Sequence, residues 1–290
     1  MIKQIWLLAL CAYVLTAQAE TLDSHSRQEE TQAKPKAHKV PRLQVKSHIA
    51  LIFDEQTQQP LYNKNSETVV PIASITKLMT AMVMLDAQLP MDQEISVADD
   101  DLNRIRRAKS RLRVGMTLTR SEMLKLALMA SENRAALALA RSYPGGPEAM
   151  VAAMNAKARV LGMQNTRFFD PTGLDSDNVS TAQDLVKMVA AARRYPPIHQ
   201  YTTSSSHSVE GLRGRTMHFS NTNPLVRNAS WDIGVSKTGY ISEAGLCLVM
   251  EATIRQRPVI IVLLDSWGKH TRVGDANRIR NWMGSLAALN

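Results

Sequence analysis

Cysteine is nearly missing from this chain: of 290 residues only Cys11 and Cys247 carry a thiol. Cys11 lies in an N-terminal segment with the marks of a cleavable leader, so the mature chain would keep Cys247 alone and could form no internal disulfide. Cys247 sits in the apolar run "GLCLVMEATI" and is expected to be a buried, inert thiol. No His-Glu-x-x-His or paired-cysteine arrangement occurs, so no metal and no cofactor are expected. Internal repeats are missing too, as are low-complexity tracts beyond the lead segment. Aromatic residues make up 5% of the chain, and none interleaves the basic run Arg104 to Arg113 to stack on bases, so nucleic acid is not an expected partner. That run is expected to be a solvated face or a contact for an anionic surface or polymer.

What is present fits a folded, exported protein. Hydrophobic residues are 44% and charged residues 21%, ordinary for a globular domain, and the net charge is +9. "MIKQIWLLALCAYVLTAQAE" has one basic residue, an apolar run from Ile5 to Leu15 and then Ala17-Gln18-Ala19. This is the pattern of a signal peptide, residues 1–19, cut after Ala19. The run is shorter than the roughly 20 residues a spanning helix needs. The residue before Cys11 is Leu10, which argues against lipidation. Residues 20–45 are polar, without sustained apolar periodicity, and read as a flexible lead; a single domain is expected over residues 46–290.

Within that domain "HIALIFDEQTQQPLYN" reads as two strands around a turn, and "AGLCLVMEATIRQRPVIIVLLDS" as a second antiparallel hairpin. The end of the chain places Ile279, Trp282, Met283 and Leu286 on one helical face. Between the two hairpins the pattern is mostly helical. "TRSEMLKLALMASENRAALALARS" and "TAQDLVKMVAAARR" are amphipathic and open at Thr or Ser caps. Strands at both ends and helices between them predict an α/β fold, with an antiparallel sheet built from both chain ends and a mainly helical subdomain.

The chemistry begins at "PIASITKLMTAMVMLDA". Positions i and i+3 share a helix face, so the Ser74 hydroxyl and the Lys77 ammonium can meet. Serine becomes a nucleophile when a base takes its proton. Lysine can serve only if burial or a second cation lowers its pKa from about 10.4. Taken alone, the pair is equally a capped helix with a lysine reaching for solvent. "SEN" at Ser131 to Asn133 and "KTG" at Lys237 to Gly239, just before a predicted strand, complete a three-part pattern known from penicillin-binding proteins and class A β-lactamases.

With "VVPIASITKLMTA", "LALMASENRAALALA", "FFDPTGLDSDN" and "VSKTGY", the sequence resembles the serine DD-peptidase family, the low-molecular-mass penicillin-binding proteins, over nearly all of residues 46–290. The resemblance implies that Ser74 attacks the carbonyl of a D-Ala-D-Xaa bond and that Lys77 accepts its proton. Ser131 would relay a proton to the leaving amine, and Asn133 would hold the substrate's amide backbone. Lys237 and Thr238 would bind the substrate carboxylate, with Lys237 staying protonated and its field lowering the Lys77 pKa. Gly239 would leave room for the acyl donor, and the backbone N–H groups of Ser74 and Tyr240 would form the oxyanion hole. Expected partners are peptidoglycan peptides, with β-lactams as covalent inhibitors, in the periplasm.

Within the family, the Glu-x-x-Leu-Asn segment of class A β-lactamases has no counterpart. Asp170, before a proline in a turn-forming sequence, is expected to be structural. The chain ends about 50 residues after the third motif, leaving no room for the extra domain of the major carboxypeptidases, so its shape resembles the soluble D-alanyl-D-alanine endopeptidases. A DD-carboxypeptidase is the alternative, followed by a β-lactamase or a non-catalytic penicillin sensor. His207 and His218 flank "GLRGRTMH" and are expected on a solvent-facing loop.

Overall fold

The computed structural model describes residues 42–103 and 110–287. The leader, nearly all of the polar lead segment and the first part of the basic run lie outside the described residues.

In chain order, β1 (Ile49–Asp54) and β2 (Gln59–Lys64) form the first hairpin. A separate two-stranded arm consists of β3 (Ser206–Glu210) and β4 (Thr216–Ser220). The last three strands are β5 (Asp232–Ile241), β6 (Gly245–Ile254) and β7 (Arg257–Ser266). The main sheet runs β2-β1-β7-β6-β5 with every neighbouring pair antiparallel, so the first strand of the domain pairs with the last. The β6–β7 connection is two residues, Arg255 and Gln256, at φ 52° and 63°, the sign a tight hairpin turn needs to match strand twist.

The near-continuous apolar runs of β6 and β7 follow from cover on both faces. Val249, Ile260, Val262 and Leu264 point into a core shared with the helices. Leu248, Met250, Val259, Ile261 and Leu263 point the other way, into a second core. That second layer includes Ile279 and Met283 of the terminal helix and also Leu43 and Val45. Packing therefore reaches upstream of Lys46, where the polar lead was expected to be loose: Leu43 and Val45 alternate with exposed Arg42, Gln44 and Lys46 and bury in this second core.

The helical layer comprises α1 (Lys77–Asp86), α2 (Arg120–Met129), α3 (Asn133–Arg141), α4 (Gly146–Val160), α5 (Ala182–Ala192) and α6 (Pro196–Thr203). The terminal helix is α7 (Thr271–Ala287), packed on β6 and β7. Thr119 caps α2 through a reciprocal box with Glu122, and Thr181 caps α5 by accepting from Asp184 N at 3.2 Å. The single helix expected over 119–142 is two. Helix α2 stops at Met129, Ser131 turns to φ 58°, and α3 restarts at Asn133. His207 and His218 lie on the paired strands β3 and β4 rather than in a loop.

Candidate active site

Ser74 is not at an α-helix cap. It lies in a 3-10 turn, Ala73–Thr76, that leads into α1 at Lys77. Ala73 stands at φ 47°, a conformation costly for a residue with a Cβ, and this bend lifts Ser74 to partial exposure while its neighbours are buried. Lys77 does not reach for solvent: it is 1% exposed. Its Nζ stands 2.8 Å from Ser74 Oγ, 2.7 Å from Asn133 Oδ1 and 2.8 Å from the Thr172 carbonyl oxygen.

The break between α2 and α3 presents Ser131 and Asn133 to the same cleft. Lys237, on β5 and 1% exposed, donates to Ser131 Oγ at 2.9 Å and to the Thr238 carbonyl at 2.9 Å. Thr238 Oγ1 donates to Thr222 Oγ1 at 2.7 Å. Gly239 brings the strand against the Ser74 turn: a Cβ there would lie 3.0 Å from the Ile72 carbonyl oxygen and 3.1 Å from Ser74 N. Tyr240, next along β5, is 62% exposed. The Ser74, Ser131 and Lys237 motifs, far apart in sequence, thus line one cleft between β5 and the helical layer.

Burial lowers the Lys77 pKa to about 7, against the fields of Asp170 and Glu132, which favour its charged form. Lys237 is also pushed well below the ordinary lysine value, by burial and then by Lys77 and Arg272. No carboxylate offsets that push. Sequence reading gave Lys237 the charge and Lys77 the neutral amine; burial and then the Lys77 and Arg272 cations push Lys237 down, while Asp170 and Glu132 favour the charged form of Lys77.

Comparison with known proteins supplies the family. The model of peptidase family S11, D-alanyl-D-alanine carboxypeptidase, matches residues 32–268. The chain belongs to this family. A D-alanyl-D-alanine endopeptidase of Pseudomonas aeruginosa is 48% identical over 258 residues, covering 88% of this chain and 83% of that protein. One from Escherichia coli K12 is 46% identical, covering 83% of this chain and 78% of its own length. Among solved structures, the Streptomyces K15 DD-transpeptidase superposes with a TM-score of 0.78 at 28% identity, covering 86% of this chain and all, 100%, of its own.

Several residues of this S11 peptidase shape the cleft without having been read from sequence. Thr172 acts through its carbonyl, which leaves no side-chain signature. Gly173, at φ 81°, lies so close to the Ser74 turn that a Cβ would stand 1.9 Å from the Ala73 carbonyl oxygen. Arg272, at the start of α7, donates to the Gly239 and Cys247 carbonyls at 2.9 and 3.0 Å and fixes the end of β5. Thr222 and Glu132 complete the list: Glu132 accepts from the Ser110 hydroxyl and from Arg111 N, holding the last part of the basic run. These were hidden because their contacts are long-range. Asp170 is structural, as its place before Pro171 suggested: it accepts from Gly173 N at 2.7 Å, Asn178 Nδ2 at 2.8 Å and the Thr172 amide and hydroxyl.

Proposed function

We propose that the protein is a periplasmic serine peptidase that opens D-alanyl-D-Xaa cross-links of peptidoglycan through an acyl-enzyme on Ser74. The observation that carries the mechanism is the set of three contacts on Lys77 Nζ. Two partners, Asn133 Oδ1 and the Thr172 carbonyl, can only accept. A neutral amine has two N–H donors and one lone pair. With both donors used, the lone pair faces the Ser74 hydroxyl at 2.8 Å, the orientation a general base requires.

Ser74 Oγ attacks the D-Ala carbonyl as its proton passes to Lys77. The backbone N–H groups of Ser74 and Tyr240 receive the oxyanion. Asn133, with Oδ1 on Lys77, turns its amide N–H groups toward the substrate backbone. Ser131 Oγ, held by Lys237, gives its proton to the leaving amine and is reprotonated by the proton that Lys77 took from Ser74, which returns Lys77 to its neutral form. Thr238 and Lys237 receive a carboxylate of the substrate, an anion that favours the charged form of Lys237 against the fields of Lys77 and Arg272. Water then hydrolyses the acyl-enzyme.

The 46–48% identity to two endopeptidases supports action on cross-links. Asp170, its oxygens engaged by backbone and side-chain donors, is not disposed to activate a deacylating water, so slow release of penicillin is expected and a β-lactamase is not. The signal-like residues 1–19 support the periplasm, and no helix of the described residues is long and apolar enough to cross a membrane. The test is turnover of a purified cross-linked muropeptide dimer beside its uncross-linked pentapeptide. Cleavage of the dimer into monomers supports the reading; release of terminal D-Ala from the pentapeptide with the dimer untouched would replace it with a carboxypeptidase.

A further inference from the structure

Beside the cleft lies a cationic groove that the mechanism does not use. It encloses about 530 Å³ between the last part of the basic run, with Met116 beyond it, and the β3–β4 arm. Its rim carries Arg111, Arg113 and Arg215, its apolar lining is Met116, Met217 and Leu212, and among the described residues no carboxylate lines it. Arg111 stacks 4.5 Å from the Phe219 ring centroid and donates to the His218 carbonyl, clamping the segment to β4. The turn carrying Arg215 is closed by Gly211 N donating to the Arg215 carbonyl at 2.7 Å. Gly211 lets that turn settle on the groove, since a Cβ would meet Met217 Sδ at 2.8 Å. Arg113 and Arg215 are exposed and make no ion pair with any described residue.

Both walls continue into one side of the cleft. On one wall Ser110 and Arg111 N are held by Glu132, which stands between Ser131 and Asn133. On the other, β4 runs on to Thr222, whose N–H donates to the Met129 carbonyl at 3.0 Å and whose hydroxyl accepts from Thr238 at 2.7 Å. Ser131 and Thr238 mark the side from which the leaving amine departs. A carboxypeptidase releases one small amino acid there, whereas cleavage of a cross-link releases a whole peptide strand.

We propose that this groove binds the leaving strand of a cross-link as an acidic peptide, with Arg113 and Arg215 pairing its carboxylates and Met116, Met217 and Leu212 taking its aliphatic stems. The proposal rests on the cross-link reading above and adds the feature that would separate long from short leaving groups. A concave, part-apolar groove joined to the cleft fits a peptide better than a flat lipid surface.

The test uses two measurements. In the Ser74→Ala protein, binding of a muropeptide dimer is measured by calorimetry, with and without Arg113→Glu/Arg215→Glu, and with a dimer whose carboxylates have been amidated. The charge reversal and the amidation should each weaken binding about tenfold or more, and added salt should weaken wild-type binding more than that of the variant. In the active enzyme, the same reversal should raise KM for the dimer by a similar factor relative to the rate of penicillin acylation by that variant. Unchanged dimer binding overturns the proposal. So does a reversal that abolishes co-sedimentation with phosphatidylglycerol vesicles while leaving dimer binding intact, which would make the groove a membrane contact. If the dimer binds as expected but is never cleaved, the endopeptidase reading fails and the groove stands.

Discussion

Gly173→Ala should disable the site from behind. Gly173 stands at φ 81°, and a Cβ there would lie 1.9 Å from the Ala73 carbonyl oxygen, 2.3 Å from its carbon and 2.9 Å from Ser74 N. Carbon in contact with such atoms needs about 3.5 Å, so the two backbones must part by more than about 1 Å. The atoms pushed are those that carry the proposed nucleophile and one proposed oxyanion donor. A misplacement of about 1 Å costs on the order of 100-fold in rate, close to 3 kcal/mol of barrier. The left-handed φ adds about 1–2 kcal/mol against folding. Gly239→Ala supplies the comparison: its Cβ would meet the same turn at 3.0–3.1 Å, which calls for adjustment of a few tenths of an ångström and a much smaller loss. Acylation by a fluorescent penicillin, followed in the pre-steady state beside thermal unfolding, reads both. The expected result is a cooperative but less stable Gly173→Ala protein that acylates about 100-fold more slowly. Acylation within about threefold of wild type would mean the Ser74 turn does not depend on this contact.

Acylation should rise with pH through about 7, because Lys77 is a base only when neutral and burial places its pKa there; Asp170→Asn removes a field that favours the charged form, so the acidic limb should move to lower pH, and a limb that stays or moves upward contradicts the assignment. Lys237→Ala should slow acylation by a carboxylate-bearing ester far more than by its uncharged analogue, and equal losses would show that Lys237 does not read the carboxylate. Leu263→Ala, in the second core, should cost about 2–5 kcal/mol in denaturant unfolding while leaving acylation of the folded protein intact; a cost below about 1 kcal/mol would mean that face is loosely packed.

The frame of the molecule was legible because its signals are local. Continuous apolar runs from Ile49 and Val259 announced strands, and Thr119 and Thr181 announced helix starts. What sequence could not show was which helix continues: Ala130-Ser131-Glu132 has no glycine or proline, and the helix breaks there because tertiary contacts place Ser131 at positive φ. The chemistry was legible as three motifs, and the structure brings Ser74, Lys77, Ser131, Asn133, Lys237 and Thr238 to one cleft. The electrostatic surroundings of the two lysines were not legible, because the motif says nothing of Arg272, which arrives from α7 near Lys237, or of Asp170 and Glu132, which favour the charged form of Lys77. Thr172, Gly173 and Arg272 contribute through backbone atoms or long-range contacts, which composition and spacing do not record.

The central claim is that Ser74 is the nucleophile and Lys77 its base. The direct measurement is mass mapping of the covalent adduct after brief exposure to penicillin, in wild type and Lys77→Arg. An arginine keeps the charge but has no lone pair to take the proton. The account predicts a single adduct on the peptide containing Ser74, formed in Lys77→Arg at least 100-fold more slowly, the lower range of a general base's contribution. An adduct on any other residue, or a Lys77→Arg protein that acylates Ser74 within about tenfold of the wild-type rate, would contradict it.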